Sequence, residues 1–99
     1  MPRLLTREEI DRQLEALPDW SVSEDGMSIS ARYELVDFAA ALAFVNQVGA
    51  EAEEMNHHPD IDIRWNQVTL VLSTHSENGL TQFDIELAHR IARRRADQE

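Results

Sequence analysis

The sequence has no cysteine, no lysine, and only three glycines and three prolines among its 99 residues. Without cysteine, disulfide scaffolds and thiolate metal sites are excluded. The absence suits a reducing compartment without establishing one. Long hydrophobic runs are missing too. The longest, Phe38 to Val45, falls far short of the roughly 20 residues of a membrane span, so no membrane partner is expected. The opening Met-Pro-Arg-Leu-Leu-Thr-Arg-Glu-Glu breaks into charge at once, unlike a secretory leader, and the expected location is cytoplasmic. All nine basic residues are arginine, against nineteen acidic ones, for a net charge of −10. That balance argues against nucleic acid as a partner, which needs a basic surface. The absence of lysine reads as genome or habitat bias. Repeats, low-complexity tracts and Gly/Ser linkers are also absent, so residues 1–99 read as a single domain with one core.

What is present divides into seven segments. Thr6-Arg7-Glu8-Glu9 fits a capping box, Leu5 and Ile10 fit a hydrophobic staple, and Ile10, Leu14 and Leu17 continue at helical spacing up to Pro18. A first helix over Thr6–Leu17 follows. Trp20 and Val22, the Glu24-Asp25-Gly26 turn signal, and the alternation of Met27, Ile29, Ala31, Tyr33 and Leu35 predict a β-hairpin. Asp37 is placed to cap a long helix over Phe38–Asn56. Its apolar stripe is Phe38, Ala41, Leu42, Val45, Val48, Ala52 and Met55, with Ala39, Ala40, Ala43 and Phe44 as surplus. A helix greasy nearly all round in its first half is expected to meet a second protein surface as well as its own sheet. After His57-His58-Pro59, Ile61, Ile63 and Trp65 alternate as a third strand, with Asn66-Gln67 as the turn. Val68, Leu70 and Leu72 form the inner face of a fourth strand, which His75 closes on the opposite parity. Thr81-Gln82-Phe83-Asp84 resembles a second capping box, with Leu80 and Ile85 as its staple; Ile85, Leu87, Ala88 and Ile91 carry the last helix into Arg90, Arg93, Arg94 and Arg95. Those arginines suit a helix C-terminus. The order α-β-β-α-β-β-α predicts an α+β fold: one four-stranded antiparallel sheet with three helices on one face.

Three of the four histidines fall at segment ends, His57 and His58 after the long helix and His75 at the fourth strand. Glu53 lies one helical turn before His57, and Asp84 opens the last helix. A pocket lined by imidazoles and carboxylates can form where strand and helix ends meet. Each residue also has a purely structural reading. His57-His58-Pro59 can be a helix stop, His75 part of a solvated face, Asp84 a cap, and Glu53 a solvated helix residue. His89 belongs to no motif. Adjacent histidines rarely ligate one ion together, and neither cysteine nor an H-E-x-x-H pattern is present, so no metal is expected. Ser73, Thr74 and Ser76 near His75 lack a nucleophile elbow or a Gly-rich oxyanion loop.

Taken together, Glu53-x-x-x-His57-His58-Pro59, Trp65, His75 and Asp84 resemble the signature of the pterin-4a-carbinolamine dehydratases. Glu54-Met55-Asn56, Leu72-Ser73-Thr74 and Gly79-Leu80-Thr81 are similar to that family as well, and the likeness covers nearly the whole chain. It departs at Phe83, where some relatives carry a basic residue, and at Asn56, where others have Asp. The resemblance implies elimination of water from 4a-hydroxytetrahydropterin to give quinonoid dihydropterin, in tetrahydrobiopterin recycling, with no cofactor and no metal. One carbon bears both the hydroxyl and a ring nitrogen. The leaving oxygen must receive a proton and the nitrogen must lose one, work suited to imidazole. The resemblance implies His57 and His75 as the acid–base pair, with His58 holding the pterin ring. Glu53 would orient or relay protons to the histidines, Asp84 would bind or orient, and Trp65 would be core or pocket wall. It further implies a homodimer or homotetramer and a functional link to a pterin-dependent aromatic amino acid hydroxylase. The alternative is a non-catalytic interaction or assembly module that binds a partner protein through its long helix.

Overall fold

The computed structural model describes residues 2–97. Thr6 accepts from the Glu9 amide and Glu9 accepts from the Thr6 amide, so the first capping box forms and starts α1, Arg7–Leu14. The helix is one turn shorter than predicted. Glu15, Ala16 and Leu17 donate three residues back instead of four, a tightened exit that Pro18 cannot extend. Leu17 nevertheless reaches the core, as does the staple residue Ile10.

Strands β1 (Trp20–Val22) and β2 (Ile29–Glu34) form the predicted hairpin, with Gly26 in the left-handed region at φ 73°. Strands β3 (Asp60–Arg64) and β4 (Gln67–Leu72) form a second one, and the antiparallel sheet order is β1-β2-β4-β3. The two inner strands alternate as their sequences require: Ile29, Ala31 and Tyr33 on β2, and Val68, Leu70 and Leu72 on β4, are buried. Met27 lies outside the hairpin ladder and is exposed. The second hairpin turns one residue earlier than expected. Arg64 pairs with Gln67, leaving Trp65 and Asn66 as the two-residue turn, with Trp65 at φ 52°. Trp65 is therefore not a core residue; it is 69% exposed at a turn tip.

The long helix α2, Phe38–Met55, is capped by the Asp37 carboxylate on the Ala40 amide. Its buried face is Ala41, Phe44, Val48 and Ala52, while Phe38 and Leu42 are about half-exposed. Phe44 thus belongs to the core, edge-on to Tyr33 at 5.4 Å, and is not part of the surplus. At about 100° per residue, Leu42 and Phe44 stand on nearly opposite sides of the helix, so only the sheet's position decides which side is inside.

Helix α3, Gln82–Asp97, packs beside α2. Arg90 bonds Glu51, Glu54 and Glu86, and Arg94 bonds Glu51 at 2.6 Å, so these arginines tie α3 to α2 in addition to suiting a helix end. The Arg94 hydrogen bond holds the Glu51 carboxyl below the usual carboxylate range. All three helices cover one face of the sheet, giving the predicted α+β order. Among the described residues, no helix is long and apolar enough to cross a membrane.

Candidate active site

The site forms where α2 ends, β4 ends and α3 begins. Helix α2 stops because Asn56 takes the left-handed conformation (φ 51°, ψ 44°) and the His57 amide reaches back to the Ala52 carbonyl at 3.0 Å. Asparagine tolerates that conformation better than most residues. This reversal carries His57 toward the start of α3, where its Nε2 lies 2.6 Å from Asp84 Oδ1. Asp84 is fully buried, and His57 is largely so.

A buried carboxylate is tolerated only when its oxygens are hydrogen-bonded. Asp84 Oδ2 accepts from the Thr81 amide at 2.9 Å and from the Thr74 hydroxyl at 2.7 Å. The second capping box is thus half-formed: the carboxylate caps Thr81, but the Thr81 hydroxyl turns to the Phe83 amide at 3.3 Å and to Thr74 at 2.8 Å. A carboxylate on these contacts only accepts, so His57 Nε2 carries the proton of the bond to Asp84. His57 Nδ1 has no protein partner among the described residues and is open to solvent. The half-exposed ring of Phe83 lies 5.9 Å from the His57 ring and forms an aromatic wall beside it.

His75 does not close β4, which ends at Leu72. It opens a short 3-10 turn, His75–Glu77, and is exposed. The residue before it, Thr74, pairs with Gly79 by main-chain bonds that close the loop. A Cβ at Gly79 would come within 2.9 Å of Leu4 Cδ2, so the half-exposed Leu4 side chain would have to move aside. His75 is therefore one residue from the hydroxyl that contacts the same carboxylate as His57.

Glu53 partners His58, not His57. The two side chains meet at 2.5 Å on the surface, where both are more than half exposed. Such a pair contributes little stability. Trp65 stands exposed at the β3–β4 turn. His89 lies on α3, outside the cluster. Sequence reading overlooked the hydroxyls of Thr74 and Thr81 as parts of the site. The available signal was Asp84 itself, since a carboxylate predicted to cap a helix beneath apolar neighbours needs further donors.

The opposite, uncovered face of the sheet holds a polar cavity of about 280 Å³ lined by Arg32, Asp62, Arg64, Gln67 and Thr69. It contains no histidine, and its Arg64–Asp62 pair is solvent-exposed. No group of three or more His, Asp or Glu side chains among the described residues is arranged to hold a metal ion.

Comparison with known proteins identifies the family. The family model for pterin 4 alpha carbinolamine dehydratase matches residues 3–94. A Nocardia farcinica relative named for pterin-4-alpha-carbinolamine dehydratase is 51% identical over 88 residues, covering 89% of this chain and 90% of its own. A Gloeobacter violaceus relative named for the same activity is 48% identical, covering 85% of this chain and 94% of its own. The Brucella melitensis structure titled a transcriptional coactivator/pterin dehydratase superposes with a TM-score of 0.89 at 34% identity, over 93% of this chain and 98% of that one. A pterin dehydratase-like protein described as a RuBisCO assembly factor in the alpha-carboxysome shares the fold alone, with a TM-score of 0.66 at 19% identity over 77% of this chain and 88% of that one. The chain belongs to the pterin-4-alpha-carbinolamine dehydratase family and, as such, is a hydro-lyase.

Proposed function

We propose that the protein eliminates water from 4a-hydroxytetrahydropterin by histidine general acid–base catalysis, within cytoplasmic tetrahydropterin recycling. The observation that carries this reading is the His57–Asp84 pair, an open imidazole nitrogen backed by a buried carboxylate. With Nε2–H held by Asp84, Nδ1 is the atom that faces substrate. It can take a proton or, once protonated, return one, while Asp84 stabilises the imidazolium. In the reaction, the C4a–O bond breaks as the oxygen gains a proton, and the ring nitrogen loses its proton as the C4a=N bond forms. His57 and His75 divide these two transfers, and exchange them according to the face that bears the hydroxyl. His58, tethered to Glu53, contacts the pterin ring, and Phe83 supplies an apolar surface for it. No cofactor or metal takes part.

The protein acts as a homodimer or homotetramer and serves a pterin-dependent aromatic amino acid hydroxylase that generates its substrate. The test is the rate of 4a-hydroxytetrahydropterin dehydration with and without the protein. A rate no faster than the uncatalysed one would overturn the reading. A second reading has its own observation: Val36, Phe38 and Leu42 leave apolar surface uncovered at the start of α2. A non-catalytic assembly or interaction module would use that face, and the Brucella relative's title couples coactivator with dehydratase. An inactive protein that still captures a partner through Phe38 and Leu42 would favour this alternative.

A further inference from the structure

The direction of every bond around Asp84 can be worked out. Thr74 has one hydroxyl proton, and it goes to Asp84 Oδ2. In the 2.8 Å contact between the two threonines, Thr81 must then be the donor. The Phe83 amide in turn donates to Thr81 Oγ1. A one-way chain results: Phe83 N–H to Thr81 O–H to Thr74 O–H to Asp84, whose other oxygen accepts from His57. Both hydroxyls are buried, Thr74 5% and Thr81 0% exposed, so no water competes for these protons.

Thr74 is also fixed through its main chain. Its amide donates to the Gly79 carbonyl at 2.8 Å, and the Gly79 amide returns the bond at 3.4 Å. The next residue is His75. Thr74 therefore stands between the two histidines of the proposed acid–base pair. Its hydroxyl holds the carboxylate that orients His57, and its backbone anchors the turn that presents His75.

We propose that Thr74 is a positioning residue for catalysis: its hydroxyl locks the Asp84 carboxylate rotamer, and thereby the Nε2–H tautomer and ring orientation of His57, in register with His75. This rests on the reading of His57 and His75 as the acid–base pair. Without the hydroxyl, Oδ2 keeps only the Thr81 amide. The carboxylate is then held by one bond fewer, and the imidazole it orients is less tightly fixed. A misplacement on the order of 1 Å in a reacting group costs up to about 100-fold in rate.

The experiment compares Thr74→Val, which keeps the shape without the hydroxyl, Thr74→Ala, which removes the hydroxyl without risk of overpacking, and Thr74→Ser, which retains it. Folding is checked by circular dichroism. Two properties are read: kcat and KM for dehydration, and the nitrogen-15 shifts of the His57 ring, which report the tautomer without any substrate. We expect kcat to fall at least about ten-fold in the Val or Ala variant with KM within about two-fold, and the Ser variant to recover to within about three-fold of the parent. The His57 nitrogen shifts should move from a single Nε2–H form to a tautomer mixture in the hydroxyl-free variants and return in Thr74→Ser. If folded Thr74→Val or Thr74→Ala keeps both the parent kcat and the parent nitrogen shifts, the residue is merely structural and the proposal fails. If the parent protein does not dehydrate the substrate, the functional reading fails, and the ring shifts alone still decide whether Thr74 orients His57.

Discussion

His57 and His58 are neighbours in the chain with the same side chain, yet the fold gives them different surroundings. His57 turns inward onto a fully buried carboxylate; His58 stays at the surface with Glu53. General acid–base catalysis contributes about 10²–10⁴-fold per group, so His57→Ala and His75→Ala are each expected to lower the dehydration rate at least ten-fold with the fold intact. His58→Ala should mainly raise KM. His89→Ala, outside the cluster, serves as the unchanged control. Initial rates over a range of substrate concentration, with circular dichroism on each variant, decide this; near-normal turnover in both His57→Ala and His75→Ala would sink the mechanism. The Nε2 atoms of both His57 and His58 are already engaged by carboxylates. Elemental analysis of untagged protein should therefore find no stoichiometric zinc or iron, whereas activity lost to a chelator and restored by zinc would contradict that.

At the scale of elements, the packing of α2 on the sheet separates side chains that the helical wheel does not. Phe44 fills the core over Tyr33, and truncation of a buried Phe typically costs about 3–5 kcal/mol. Phe44→Ala should show a loss of that size in urea denaturation, and Phe38→Ala, half-exposed on the other side, a much smaller one. Equal losses would mean that the helix is rotated from the orientation described. Tyr33 provides a pH probe of the same layer. Burial pushes its phenol up to about 12, although the Trp20 indole donates to its oxygen at 3.1 Å and works in the opposite sense. The unfolded phenol titrates near 10. A group whose value is raised on folding contributes stability fully below its unfolded value and loses it as pH rises through the folded one. Stability should therefore fall between about pH 10 and 12. With no lysine, no cysteine and a single tyrosine, no other side-chain type titrates in that window. Thermal melts and tyrosinate absorbance should follow one transition, and phenol ionisation near pH 10 in the folded protein would refute the assignment.

For the whole molecule, the notable feature is apolar surface left uncovered at one end. Val36 is 85% exposed, and Phe38 and Leu42 follow one helical turn apart. This face is the proposed interaction site, with a second copy of the chain as its proposed occupant. Light scattering at micromolar concentration should give a mass well above that of one chain. Phe38→Glu with Leu42→Glu should return it to the monomer while circular dichroism stays unchanged. Phe44→Glu is not a usable probe, because it would bury a charge in the core. A monomeric parent protein would remove this expectation.

Much was decided locally, and so was legible along the chain. The Thr6–Glu9 capping box, the Asp-Gly turn and the strict alternation of β2 and β4 depend on contacts within a few residues, and each formed as its spacing requires. The approach of His57 to Asp84, where α2 ends and α3 begins, fits the expected meeting of segment ends. Tertiary structure alone chose between options that local rules leave equal. Phe44 rather than Leu42 faces inward because the sheet lies on that side. Trp65 sits at a turn tip because the β3–β4 register, set by Ile63 opposite Val68, reaches Arg64–Gln67 and leaves two residues to close. His57 meets Asp84 and not Glu53 because the left-handed turn at Asn56 carries its ring off the helix and toward α3. The roles of Thr74 and Thr81 were invisible for the same reason. A hydroxyl gains its meaning from the buried carboxylate it satisfies, and burial is a property of the assembled core.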